Sequence, residues 1–166
     1  TDIFKGYDLL HIEGYLVQNE ELIESICQKA KEAGLTISLD LSSFNVVSKK
    51  RTYFHHLIYD YVDIVFANEG EARAFSGSFD SQEQVKHIAH LCDIAVVKLG
   101  EQGSVATKDE GKVYQCNAIH VDNVVVEGIG FDILGGSIYF EIKTVTVKGF
   151  LPNLGNTVGD GHRGQA

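Results

Sequence analysis

A chain of 166 residues, 44 % of them apolar, is long enough to bury one sizeable core and too apolar to stay disordered. Its 14 Lys and Arg against 23 Asp and Glu leave a net charge of −9, which repels nucleic acid and anionic membranes and sets both aside as partners. No apolar run approaches the ~20 residues that a membrane-spanning helix needs.

The chain has no Met and begins at Thr1, so a processed, trimmed or internal N-terminus is expected. In chain order, Asp8–Ile12 is short and apolar and stops at Glu13-Gly14, as a buried strand before a turn does. Asn19 is placed to cap a helix, with Glu20 and Glu21 at its positive end. Leu22, Ile23, Ile26, Cys27 and Ala30 give that helix one apolar face, and Gly34 stops it. Leu35–Asp40 reads as a strand ending in a carboxylate. Residues 44–61 read as an untidy helix with Phe54, Leu57, Ile58 and Tyr61 inward. Val62–Phe66 is a strand, and Asn68-Glu-Gly-Glu71 opens a short helix after it. Ser81 and Gln84 form a capping-box pattern for a helix carrying Val85, Ile88 and Ala89. Asp93–Lys98 is a strand, and 104–107 with 112–115 flank a hairpin turn at Asp109-Glu-Gly111.

Strands alternating with helices predict an α/β fold: three layers, a mainly parallel sheet with helices on both faces. Ligands of such sheets gather at the carboxyl ends of the strands. Glu13, Asp40, Asn68 and Lys98 all fall at those ends. From residue 126 the character changes, since the last 41 residues hold 9 of the 17 glycines and the single proline, Pro152. Residues 1–125 are therefore expected to form one unit, 126–152 a glycine-rich region and 153–166 a flexible tail.

Three constellations suit chemistry. In Asn68-x-x-Glu71 an amide and a carboxylate share one helix face, where the carboxylate could hold Mg²⁺ directly or through water; a capped helix with a solvated glutamate uses the same residues. In the Val97–Ser104 segment, Lys98 adds charge while Gly100 and Gly103 let backbone approach a nucleotide; a plain turn between strands uses glycine as readily. In Gly128-Ile-Gly-Phe-Asp132 two glycines ahead of a helix could form an anion nest beside a general base, Asp132; a glycine loop with an exposed aspartate is the bland reading. His87 and His90 lie one helical turn apart but lack a third ligand, so they and His55-His56 are read as surface histidines. The cysteines Cys27, Cys92 and Cys116 show no metal-ligand spacing and no secretory signal accompanies them, so a reducing cytoplasm is expected, with the thiols as small core residues.

Taken in order, these segments resemble the pfkB-type, ribokinase-like sugar and nucleoside kinases, in particular their C-terminal, nucleotide-binding portion. The resemblance rests on Gly34–Ser42, on Val65–Ala72 with its N-x-x-E motif, and on Val96–Ser104, and it extends over about 125 residues. It implies an ATP-dependent phosphotransferase acting on an alcohol group of a sugar or nucleoside. Asn68, Lys98, Gly100, Gly103, Gly128 and Gly130 would then bind ATP, Glu71 would organise Mg²⁺, and Asp132 would be the base. A homodimer is compatible with this reading.

The chain departs from the family in two respects. The portion that carries the lid and most acceptor contacts in family members has no counterpart here. The family's Asp-Thr-x-Gly-Ala-Gly-Asp signature is replaced by Val126-Glu-Gly-Ile-Gly-Phe-Asp132, with one residue added before the aspartate. One added residue turns a helical side chain by ~100°. A catalytically silent fragment or degenerate relative that keeps the scaffold and weak nucleotide binding is the alternative, and a flavodoxin-like binding module is a third. If Asp132 is the base, residues 133–140 must be helical.

Overall fold

The computed structural model describes residues 3–108 and 111–118, and beyond them the strands at 123–126, 129–134, 137–142 and 145–148. The chain divides into two compact units, residues 1–118 and 119–166.

The first unit is built on β1 (Leu9–Glu13), β2 (Thr36–Asp40), β3 (Ile64–Asn68), β4 (Ile94–Lys98), β5 (Ser104–Lys108) and β6 (Tyr114–Cys116), hydrogen-bonded in that order. Strands β1 to β4 are parallel and β5 and β6 antiparallel. This mainly parallel sheet with helices is the α/β architecture that the sequence indicates. Between the strands run α1 (Glu20–Glu32), α2 (Phe44–Tyr61), α3 (Glu69–Ser76) and α4 (Ser81–Ala89).

Because β1 to β4 follow one another across the sheet, crossovers of one hand place all four helices on the same face. The register shows which face that is. Ile12 pairs with Leu39, Leu39 with Val65, Val65 with Ala95, and Ala67 with Val97, and every one of these side chains is buried. Phe54 and Phe75, both fully buried, press on this row from the helices, where truncating such a ring costs ~3–5 kcal/mol. On the opposite face Phe66, Val96 and Ala106 are only half-buried. The described residues thus supply the sheet and a helical layer on one of its faces.

Local chemistry sets the element ends, with some departures from expectation. Asn19 caps α1 by accepting from Leu22 N, but Leu22 itself is exposed: the buried stripe is Ile23, Cys27 and Ala30, and Leu22 falls ~100° away from Ile23. The untidiness of α2 is a kink at Lys50, whose φ of −116° and ψ of 26° leave the helical region. Its ammonium donates to Val17 O at 3.0 Å and Glu20 Oε1 at 2.6 Å, tying the kink to α1. Helix α4 is capped by Asp80 rather than Ser81, because one carboxylate oxygen accepts from both Gln82 N and Glu83 N; Gln84 turns instead to Ser78 O. Burial raises the Cys27 thiol to about 11 and the Cys92 thiol to about 12, so both stay protonated as core residues do. Cys116 is exposed, because it lies on β6, an edge strand of this sheet.

The second unit corrects the expectation for residues 133–140. Here β8 (Ile129–Leu134) pairs antiparallel with β9 (Ser137–Ile142), and β7 (Asn123–Val126) with β10 (Val145–Lys148). A helix across Gly135-Gly136 would lose ~1 kcal/mol at each glycine, and Ile138-Tyr-Phe-Glu-Ile142 is rich in residues that suit a strand. Gly128 and the tail at 153–166 lie outside the described residues.

Candidate functional site

Four polar strand ends meet at one rim of the parallel sheet. Glu13 pairs in register with Asp40, Asp40 with Phe66, and Asn68 with Lys98. The rim follows from the strands being parallel and of equal length, so each chain leaves the sheet on the same side.

The most self-contained part of the rim is the entry to α3. Asn68 Oδ1 accepts from Glu71 N at 2.9 Å, Glu71 Oε2 accepts from Asn68 N at 2.8 Å, and Asn68 Nδ2 donates to Glu71 Oε1 at 2.7 Å. This reciprocal capping box satisfies donors that a helix start leaves open. The Glu71 side chain is not solvated, as its residue is only 3 % exposed. Burial lifts its carboxyl above the ordinary 4.5, opposed by the bond from the Asn68 backbone; Asp40 adds to the lift and Lys98 opposes it. Asp40, Glu71 and Lys98 therefore act on one another electrostatically.

The neighbouring entry to α2 is assembled from distant parts of the chain. Asp40 Oδ1 accepts from Ser42 N at 2.9 Å and Asp40 Oδ2 accepts from Lys98 Nζ at 2.6 Å. Ser42 Oγ accepts from Gly14 N at 2.8 Å and donates to Glu13 Oε2 at 2.8 Å, with the Asp40 carbonyl competing at 3.0 Å. Ser42 has φ of 60°, the single non-glycine residue with positive φ among the described residues. Such strain is held in place only by well-determined surroundings. Gly14 provides them: a Cβ there would collide with the carbonyl of Leu41 and stand 2.8 Å from Asp40 O. Ser38 Oγ, 2.8 Å from His11 Nδ1, extends the polar row along β1 and β2. Sequence reasoning missed Ser42, whose importance lies in a positive φ and in partners 28 and 29 residues away.

The glycine turn after β4 has a structural account of its own. Gly103, at φ 89°, offers its carbonyl to Leu99 N at 2.7 Å, and a Cβ there would collide with the Cys116 carbonyl on β6. Its smallness serves the approach of two strands. Gly100, at φ 58°, faces open space, which leaves its backbone accessible at the rim.

The expected glycine nest has a different backbone. Gly130 and Asp132 lie within strand β8, paired with Glu141 and Tyr139, and the next described element is strand β9 rather than a helix. A general base at Asp132 needs a helix over 133–140, and the β8–β9 pairing stands in its place. Surface histidines are corrected as well: His55 and His87 are half-buried against Phe75, whereas His56 pairs with Asp60 at 2.9 Å on the surface. Among the described residues no group of three His, Cys, Asp or Glu is placed to hold a metal ion, and no helix is long and apolar enough to cross a membrane.

Oxygen-only donors suit Mg²⁺, which keeps several waters and rarely needs a full protein cage. Asp40 and Glu71 each use their oxygens for two of about four acceptor directions. Lone pairs remain on both carboxylates, and Asp40, with 19 % of its side chain exposed, is the one open to water-mediated contact with a hydrated cation, so the oxygen donor set fits.

Residues 1–127 match the family model of the pfkB family carbohydrate kinases. A search of curated proteins found no match. Among solved structures, the chain is 34 % identical to a probable sugar kinase protein from Rhizobium etli CFN 42, with TM-score 0.66, covering 71 % of this chain and 37 % of that one. It is 29 % identical to adenosine kinase from Sinorhizobium meliloti, with TM-score 0.69, covering 75 % of this chain and 39 % of the other. Anopheles gambiae adenosine kinase in complex with P1,P4-di(adenosine-5) tetraphosphate shares the fold at 21 % identity and TM-score 0.65, covering 72 % of this chain and 40 % of that one. The chain thus spans less than half the length of each.

Proposed function

Because the chain belongs to the pfkB family of carbohydrate kinases, we propose that its rim binds the phosphates of Mg²⁺-ATP in an ATP-dependent transfer to an alcohol group of a sugar or nucleoside. The observation that supports this most is the Asn68–Glu71 box standing beside the Asp40–Lys98 pair at the carboxyl edge of a parallel sheet, where ligands of such folds bind.

Each residue has a distinct task. Glu71 is held rigid by Asn68 and would hold the hydrated Mg²⁺, which neutralises phosphate charge when bound. Asn68 fixes the first turn of α3. Lys98 is parked on Asp40 with its chain half-exposed, so its remaining N–H donors can turn to an incoming phosphate. Gly100 leaves backbone accessible beside it. Such parts act by positioning and charge neutralisation, which carry most of the catalysis in phosphoryl transfer.

Titrating ATP with and without Mg²⁺ into wild type and Glu71→Gln tests the reading. Gln keeps the capping-box pattern, so the helix start is preserved. Mg²⁺ is expected to tighten ATP binding in wild type and to do so much less in the variant. Equal affinities in all four titrations reject the site. A scaffold that binds nucleotide without turnover is the second reading, favoured by the strands that stand where the family signature leads into a helix. Phosphorylation of ribose, fructose or adenosine by the 166-residue chain rejects that second reading.

A further inference from the structure

Helices α2, α3 and α4 meet at three rings outside the rim. His55 of α2 stacks on Phe75 of α3, with centroids 4.2 Å apart and planes 13° from parallel. His87 of α4 meets His55 edge-on at 5.7 Å and Phe75 edge-on at 6.0 Å. His87 Nε2 is buried without a hydrogen-bond partner. An unprotonated nitrogen tolerates that position, whereas the N–H of an imidazolium would need an acceptor there.

We propose that His55 and His87 form an acid-released latch, holding α3 between α2 and α4 only while both rings are neutral. Phe75 is fully buried on the helix whose first turn carries Asn68 and Glu71, so loosening this junction loosens the support of the rim.

The surrounding charges oppose protonation. Arg51 acts on both rings from α2, and His90, at the end of α4, acts on His87. Lys86 and Glu83 of α4 and Ser76 of α3 share a cavity wall with His87, but Glu83 already pairs with Lys86 at 3.3 Å. No uncommitted carboxylate among these groups is left to compensate an imidazolium. Burial first, then neighbouring His87 and Arg51, lower His55 below the ordinary 6.5, against a raising bond to the Phe75 backbone; burial, Arg51 and His90 lower His87. For a base lowered on folding, the stabilisation is complete above 6.5 and is lost as the pH falls toward the folded value.

Two measurements on the 166-residue chain decide it. In an NMR titration, both rings should titrate below 6.5, and amide exchange in α3 should quicken as they protonate. A ring titrating at or above 6.5, or α3 exchange that ignores their protonation, overturns the latch. In thermal unfolding, the loss of Tm between about pH 7.5 and about pH 5 should be smaller by ~3 °C or more in the His55→Phe, His87→Leu double variant than in wild type. An equal loss overturns it too, and if the variant fails to fold the NMR titration decides alone.

Discussion

At the end of β3 the chain enters α3 without a linking residue, whereas at the end of β2 it passes through Leu41, Ser42 and Ser43 before α2 begins. Both crossings lie on the same rim, yet they are built on opposite principles. Asn68 and Glu71 satisfy each other over three residues with ordinary backbone angles. Asp40 and Ser42 depend on Glu13 of β1, on Gly14 just after it and on Lys98 from β4, and Ser43 makes no cap of its own. A self-contained crossing survives changes elsewhere in the sheet. A borrowed one couples three strands and holds Ser42 at φ 60°.

The sharpest way to break the contrast is Gly14→Ala. A Cβ at this position meets the backbone carbonyls of Asp40, at the end of β2, and of Leu41 just after it, and backbone cannot rotate aside as a side chain can. We expect a loss of about 3 kcal/mol in denaturant unfolding, the upper range for overpacking. A neutral outcome would mean that β1 does not support the Ser42 crossing.

Glu71→Ala comes next, at about 2 kcal/mol, because it removes the buried carboxylate that accepts two part-buried hydrogen bonds from Asn68. Glu71→Gln should cost less and reveal a sign. Burial raises the Glu71 carboxyl above 4.5, so the folded state favours its protonated form. That stabilisation is complete below 4.5 and is lost as pH rises through the folded value. The Tm of wild type should therefore gain on that of Glu71→Gln as the pH falls toward 4.5. The histidine latch shifts the other way, so the sign separates the two effects in one pH series.

This contrast also explains what could be read from the chain. The α3 box is a pattern of neighbours, so Asn68-x-x-Glu71 was visible in sequence, as were the strands that carry the rim. Residues whose role comes from distant contact were not. Ser42 looks like any linker serine, and nothing in His55 or His87 announces that both fold onto Phe75. Gly103 carries a related ambiguity: a glycine needed by a strand crossing reads like one needed by a ligand. Asp80 and Ser81 are adjacent potential caps, and only the bonds to Gln82 N and Glu83 N distinguish them. Around Asp132 the glycine spacing of a nest outweighed the strand preference of the residues after it.

Ser42 separates strain from bonding within the borrowed crossing. Ser42→Ala keeps the positive φ and removes the hydroxyl that serves Gly14 N and Glu13. Ser42→Gly removes the hydroxyl but relieves the left-handed backbone. Alanine should therefore be the more destabilising by about 1 kcal/mol. Equal losses would assign the whole effect to the hydroxyl.

Lys98→Met should change stability least and binding most. The Lys98 ammonium sits 2.6 Å from Asp40 Oδ2, but its side chain is 50 % exposed, against 19 % for Asp40. Water screens such a pair, and exposed ion pairs contribute only ~0–1 kcal/mol, so Tm should hardly move. Methionine keeps most of the stem length without the charge, which leaves the packing along β4 intact. If Lys98 is stored on Asp40 for a phosphate, its loss should weaken ATP binding about tenfold, equal to ~1.4 kcal/mol, and reduce the sensitivity of that binding to salt. Should Tm fall steeply while ATP affinity stays constant, the pair would be a structural brace between β2 and β4. The borrowed crossing would then serve the sheet alone, leaving the Asn68–Glu71 box to carry the phosphates without it.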